Sequence, residues 1–244
     1  MGFYNGFSSR FGGVSPYPEH SLNLAGFDDD TSENINENRR RFLEFFPGGM
    51  KLATVWQTHS SDLQIIKSGS ELNSSQKADA IISDMKGILA GIKTADCVPV
   101  LIGDPVTEAY AAVHSGWRGT AANISVKAIQ ALEREFSCDP TNLIAAIGPS
   151  ATLRNYEVGP EVIQEISKVF PEVEKFTLKS KADRSLINLP AIISQTLIAA
   201  GLQKENIFIC PYCTIADNHL FFSYRADRKR WGKSGRMLSV IGRK

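Results

Sequence analysis

The chain has 244 residues, 43% hydrophobic and 22% charged, so it carries enough apolar side chain to bury a substantial core. Its 27 basic and 26 acidic side chains leave a formal net charge of +1, which excludes a broad basic field for nucleic acid or an anionic membrane and leaves room for local charged pockets only. No apolar run approaches the roughly 20 residues that span a bilayer, the first residues lack a secretory pattern, and four cysteines do not make a disulfide scaffold, so a cytoplasmic protein with reduced thiols is expected.

In chain order, residues 7–23, "FSSRFGGVSPYPEHSLN", are rich in Gly, Ser and Pro and read as loop. "DDDTSENINENRRRFLEFF" starts acidic and ends basic, which suits a helix dipole, with Thr31 or Ser32 as N-cap. "KLATVWQTHSS" reads as a strand ending in a polar cluster. "GILAGIKTADCVPVLIGD" reads as one or two buried strands with a break at residues 94–97. "EAYAAVHSGWRGT" is a short strand ending in a Gly-rich turn. In "AANISVKAIQALEREF", Ala122, Ile129, Leu132 and Phe136 recur at helical spacing, with Thr120 as the expected N-cap. "NLIAAIGPS" is a strand. Helices are expected over 160–170 and 190–200, each with Pro in its first turn, and Gly201 follows the second. "ENIFIC", "HLFFSYRA" and "RMLSVIGR" read as late strands. The whole, residues 1–244, is expected to be one mixed α/β domain.

The tetrapeptide Cys210-Pro211-Tyr212-Cys213 has the form of a dithiol redox motif. Such a motif needs its first thiol at a helix N-terminus, early in a chain of roughly 100 residues. Here "TIADNHLFFSYRAD" follows, with no 3.6-residue apolar stripe, about thirty residues from the end of the sequence. Cys210 is expected to end a strand and Cys213 to pack under a turn, without redox chemistry.

The chemistry concentrates elsewhere. Of four histidines, His59 and His114 close apolar strands, and Cys97 sits at the break between two apolar segments. Strand ends converge at one edge of a sheet, where α/β proteins place their sites. Two imidazoles and a thiolate make a three-ligand zinc site with its fourth position open, the catalytic arrangement. Such a centre can polarise a bound group or acidify a bound water. The spacings of 38 and 17 residues match no local zinc pattern, so a metal-free Cys/His pair and three structural side chains remain alternatives. After His114, "HSGWRGT" offers Gly116 and Gly119 for close backbone approach and Arg118 as a forked cation, a combination suited to phosphate or carboxylate. Arg10 and Arg225, in polar settings, are further candidates for an anion pocket. Gln57 stands beside His59 as a candidate donor to substrate, and Asp96 beside Cys97 as a candidate general base, an outer partner or a turn residue.

The ordered motifs "GFSSRFGGVS", "SLNL", "NRRR", "WQTH", "ADAIISD", "TADCVPVLIGDP", "AAVHSGWRGT", "IGPS", "YEVG", "LFFSYRAD" and the late "GR" resemble the laccase-domain, or multicopper polyphenol oxidase, family from about residue 6 onward. That family includes the FAMIN-like purine nucleoside phosphorylases and a peptidoglycan editing factor. The resemblance implies a layered α-β-β-α fold similar to the cytotoxic necrotizing factor catalytic domain and a zinc site on His59, Cys97 and His114. It makes Cys213-Thr214 part of the family pattern and Cys210 an accidental addition. It implies a zinc-dependent purine nucleoside phosphorylase with adenosine deaminase activity, with Arg118, Arg10, Arg225, Gln57 and Asn23 toward substrate and phosphate. The alternatives are removal of a wrong amino acid from a cell-wall precursor and, historically, copper-dependent phenol oxidation; copper can occupy such a site in vitro, but multicopper centres need more histidines than four. The sequence departs from the family at Ala25-Gly26-Phe27-Asp28, which lacks a common His, and at Ala226, where a second Arg is common.

Overall fold

The computed structural model describes residues 2–16, 19–25, 30–69, 72 and 75–244. The chain runs β1 (Phe3–Phe7), β2 (Phe11–Pro16), β3 (Glu19–Ser21), α1 (Ser32–Leu43), β4 (Lys51–Thr54), β5 (Leu63–Ile66), β6 (Ala80–Ser83), β7 (Ile88–Thr94), β8 (Val98–Gly103), β9 (Tyr110–Ser115), α2 (Trp117–Ala121), α3 (Ile124–Phe136), β10 (Ile144–Ile147), β11 (Glu157–Val158), α4 (Pro160–Ser167), β12 (Thr177–Lys179), β13 (Ser185–Ile187), α5 (Leu189–Ala199), β14 (Ile207–Ile209), α6 (Tyr224–Trp231) and β15 (Met237–Arg243). A four-stranded sheet has the order β1-β15-β7-β4 and a six-stranded sheet the order β14-β10-β8-β9-β6-β5; β11-β13-β12 and β2-β3 form two smaller ones.

The two large sheets stack, and the strand period decides which side chain goes where. In β7, Ile88, Ala90 and Ile92 join Ile81, Leu101, Tyr110 and Ala112 of the other sheet in an interlayer core. Leu89, one residue out of phase, packs instead with Leu238, Val240 and Phe42 of α1 on the outer face. In β9, Ala111 and Val113 turn to the opposite side, where α3 and α5 cover the six-stranded sheet with Ile129, Leu132, Ile193 and Leu197. With both faces covered, these strands read as near-continuous apolar runs. The result is the layered α-β-β-α architecture. Among the described residues, no helix is long and apolar enough to cross a membrane.

Several expectations hold. Thr31 caps α1, its hydroxyl accepting from the backbone N–H of Asn34 at 3.2 Å. The 87–104 segment is two strands, β7 and β8, broken at residues 95–97. Four others need correction. Residues 7–23 are not all loop: β2 and β3 pair, because Gly13 has no Cβ to meet the Ser21 carbonyl, which would lie 2.1 Å away. The strand expected from residue 51 stops at Thr54, and the following residues form the loop that carries Gln57 and His59. Thr120 does not cap the long helix. It lies inside the one-turn α2, donating to the Gly116 carbonyl at 3.1 Å, and Asn123, at φ +55°, precedes α3. "HLFFSYRA" is not a strand: Phe221 and Phe222 plug a small core with Ala95 and Met237, and Ser223 then caps α6.

Candidate metal centre and its cleft

Three segments meet at one edge of the stacked sheets: the loop after β4, the β7–β8 break and the end of β9. They bring His59, Cys97 and His114 together, with one candidate ligand atom from each lying within 4.8 Å of the others. Cys97 Sγ is 3.8 Å from His59 Nε2, and the two imidazole rings meet edge to face with centroids 4.9 Å apart. A tetrahedral ion with two nitrogen ligands and one sulfur ligand holds neighbouring donors roughly 3.4–3.7 Å apart, so these side chains need only a small contraction to share one. Gly116 leaves the space for them: a Cβ there would sit 2.9 Å from Cys97 Sγ and 3.3 Å from His59 Cδ2. The backbone is unusual on both sides of the cluster, with His59 at φ +60° and Asp96 at φ +86°. Non-glycine residues hold that conformation only when their surroundings impose it.

For His59 the imposing group is Asp79, fully buried just before β6. Its Oδ2 accepts the backbone N–H groups of Thr58 (3.1 Å) and Ser60 (2.7 Å) and the Ser60 hydroxyl (2.9 Å). Its Oδ1 accepts the backbone N–H of His59 (3.0 Å) and bonds His114 Nδ1 (2.7 Å). Sequence reading passed over Asp79. It stood inside the motif "ADAIISD" without a role; the physical signal was a carboxylate set directly before the apolar run "AII", a position where it has to be buried and paired.

The electrostatics follow from this packing. Burial works against an ionised Asp79, but its hydrogen bond to His114, that imidazole's charge and the Ser60 donors hold its carboxyl down at about 2. Burial likewise opposes a Cys97 thiolate, and the charge and hydrogen bonding of His114 and His59 overcome it, bringing the thiol down to about 6. Burial disfavours a charged His114, and the Cys97 thiolate with Asp79 raises it to about 9. The three side chains therefore favour the deprotonated sulfur that a metal ion requires, paired with a charged His114 whose Nε2 proton an ion would displace.

The cluster forms the floor of a cleft of about 580 Å³. Around it stand the rings of Trp56, Tyr156 and Tyr224 and the cations Lys93, Arg225 and Arg236. Arg225 lies over the Tyr156 ring at 4.5 Å and donates to the Glu157 carbonyl at 2.5 Å. Arg236 donates to the carbonyls of Ser234 and Gly235, with its guanidinium carbon 5.7 Å from the Tyr224 ring centroid. Carbonyls and ring faces fix these two guanidinium groups in place. Burial raises the Tyr156 hydroxyl to about 12, keeping it a neutral donor.

The other sequence candidates divide. Gln57 lines the cleft, but both ends of its amide bond the backbone of Lys93, at 2.7 and 2.8 Å. Asp96 lines it too; its oxygens accept the Thr214 hydroxyl (2.7 Å) and the Arg225 N–H (2.8 Å), and burial raises its pKa. Arg118 is exposed and stacked on Trp117 at 4.3 Å, its charge reaching the site through Tyr156. The structure does not bring Arg10 or Asn23 to the cleft. Arg10 is buried between Phe222 and Trp231 and bonded to the carbonyls of Asn218 and Phe221 and to Asp227. Asn23 ties the backbone of Ala25 and Arg236. The run after Ala25, where the family often has a His, lies outside the described residues, and Ala226 sits in the first turn of α6. Cys210 follows β14, donating its N–H to Ile147, and Cys213 is buried beside Asn155; all four cysteines are free.

The family profile described as "Multi-copper polyphenol oxidoreductase laccase" matches residues 4–244. The purine nucleoside phosphorylase YfiH of Shigella flexneri is 36% identical over 96% of this chain and 91% of its own length. The crystal structure of the Bacillus licheniformis hypothetical protein YfiH superposes with a TM-score of 0.92 at 30% identity, covering 99% of this chain and 93% of that one. That of YlmD from Geobacillus stearothermophilus gives 0.90 at 28% identity, covering 100% and 93%.

Proposed function

The chain belongs to the multi-copper polyphenol oxidoreductase laccase family, and on that premise we propose that it is a zinc-dependent purine nucleoside phosphorylase. Its substrates are inosine, guanosine, adenosine or methylthioadenosine, with adenosine deamination as a companion activity. Residues 1–244 work as one domain, since the cleft draws side chains from Trp56 through Arg236. A cytoplasmic setting suits a site that depends on Cys97 staying a reduced thiol.

The observation that carries this reading is the cleft itself: one His-Cys-His cluster on its floor, with aromatic rings and cations above it. Relatives of nearly full length bear the name purine nucleoside phosphorylase. His59, Cys97 and His114 suit a borderline ion such as zinc. A multicopper oxidase needs many more imidazoles, and this chain has four histidines, of which two reach the cluster. Zinc held by His59, Cys97 and His114 would supply Lewis acidity there. Phosphorolysis needs phosphate held against the sugar while positive charge develops on the ribosyl group. Arg225 and Arg236 hold the phosphate dianion through charge-assisted hydrogen bonds, with Lys93 adding positive potential. Trp56 and Tyr224, 57% and 47% exposed, offer ring faces on which a purine stacks. Arg118 contributes potential from the cleft's edge.

The test is hypoxanthine release from inosine, with and without phosphate, by metal-analysed wild type and Cys97→Ala. The expected result is phosphate-dependent release that the variant loses. No release from inosine, adenosine or methylthioadenosine would overturn this function and pass the same three ligands to hydrolysis of a cell-wall precursor amide.

A further inference from the structure

Asp79 lies beneath the cleft, out of reach of substrate, yet its carboxylate is bonded to both segments that carry imidazoles. We propose that Asp79 is the positioning residue of the metal centre: it selects the His114 nitrogen that faces the ion and fixes the backbone from which His59 projects. This rests on the metal reading above.

The His114 half is a matter of tautomer. His114 Nδ1 lies 2.7 Å from Asp79 Oδ1, so Nδ1 carries a proton and donates, leaving the Nε2 lone pair for the ion. The contact is anchored twice, because the His114 backbone N–H also donates to the Asp79 carbonyl at 2.8 Å. The His59 half is a matter of backbone. Oδ1 also accepts the N–H of His59, at 3.0 Å, while Oδ2 gathers Ser60 and Thr58. These bonds wrap residues 58–60 around the carboxylate and hold His59 at φ +60°. Every close partner of the two oxygens is a donor, so the group must be acceptor-only. An asparagine would aim its NH₂ at either the imidazole N–H or the loop N–H groups, and one of the two histidines would lose its support.

The experiment is chelator competition for zinc on metal-stripped wild type and Asp79→Asn, with melting curves of the metal-free proteins and the visible spectra of the cobalt-loaded forms. Asp79→Asn is expected to bind zinc about 10- to 100-fold more weakly while still unfolding cooperatively, with an altered cobalt–thiolate band. Ser60→Ala, which removes one bond to the carboxylate, is expected to show a smaller loss in the same direction. Unchanged zinc affinity and cobalt spectrum in a folded Asp79→Asn would overturn the proposal. If that variant does not fold, ¹⁵N spectra of the zinc-loaded wild type decide: the ion on His114 Nε2 supports the proposal, and the ion on Nδ1 overturns it. A wild type that binds no zinc would sink the metal reading and this proposal together, whereas metal binding without phosphorolysis would leave the proposal standing.

Discussion

The cleft has a floor and a wall, and they are built on different principles. The floor is one loop and two strand ends locked from below by a buried carboxylate and by backbone hydrogen bonds. The wall, residues 212–236, is turns and one short helix whose working side chains, Tyr224 and Arg225, are exposed and held by ring faces and carbonyl oxygens. Groups that must hold an ion at fixed bond lengths need a rigid support. Groups that meet a flexible anionic substrate need charge and reach. On the proposed function, the floor would set whether chemistry happens, and the wall would set which substrate enters and how tightly.

The largest effect that separates the two comes from the wall cations. Losing a proposed ligand such as Cys97 is expected to abolish turnover. Losing Arg225 or Arg236 to Ala should instead raise the KM for phosphate, with kcat changed much less. A charge-assisted hydrogen bond contributes about 1.5–3 kcal/mol, which is roughly 10- to 100-fold per residue. Steady-state kinetics with phosphate varied at saturating inosine read the split. A fall in kcat with KM unchanged would break the division, placing the arginines among the groups that act on the reacting atoms.

Floor and wall are joined at Asp96, which follows Ala95 and precedes Cys97 at φ +86°. Its backbone carbonyl accepts from the Ala151 backbone N–H, one carboxylate oxygen from the Thr214 hydroxyl, and the other from the backbone N–H of Arg225. This is the structural meaning of Cys213-Thr214. Thr214 is fully buried and its hydroxyl is spent on Asp96, so the pair of cysteines around Pro211 is incidental to a joint that uses the residue after them. Thr214→Val keeps the shape and leaves a buried carboxylate oxygen without its donor. A loss of about 1–3 kcal/mol in urea unfolding is expected, together with a raised phosphate KM as Arg225 loosens. Stability lost with kinetics unchanged would show that the joint serves the fold alone.

The two regions also differed in legibility. Cys97 and His114 were readable because polar residues close the apolar runs before them: in "GIKTADCVPVLIG" the apolar pattern is interrupted at residues 94–97, where β7 gives way to β8, whereas His59 lies in the loop beyond a strand that stops at Thr54. The wall was misread because Phe221 and Phe222 look like strand residues when only local pattern is weighed. In the fold they plug a core whose partners, Ala95 and Met237, come from distant parts of the sequence. A local signal was present. Ser223 accepts from the Ala226 N–H, Asp227 returns a bond to the Ser223 N–H, and basic residues fill the last turn, the marks of a capped short helix. Arg10 misled for a related reason: a polar, Gly-rich neighbourhood suggested a pocket, whereas the guanidinium is buried between aromatic rings and bonded to Asp227. Asp79 escaped notice because a lone buried carboxylate has no periodicity to betray it.

The smallest effect serves as the control on the others. Thr31 caps α1, and α1 packs through Phe42 on the outer face of the four-stranded sheet, the side of that sheet turned away from its interlayer core. Thr31→Ala removes the acceptor of the Asn34 N–H and should cost about 1 kcal/mol. If stability alone governed the site, this loss would weaken zinc binding and raise the phosphate KM in proportion, the KM rise being the one expected of Thr214→Val. The layered architecture predicts otherwise: a lower melting temperature with zinc affinity and both kinetic constants unchanged. A shift in either constant would show that the outer helix is coupled to the cleft through β7, whose inner and outer faces Ile92 and Leu89 share one strand.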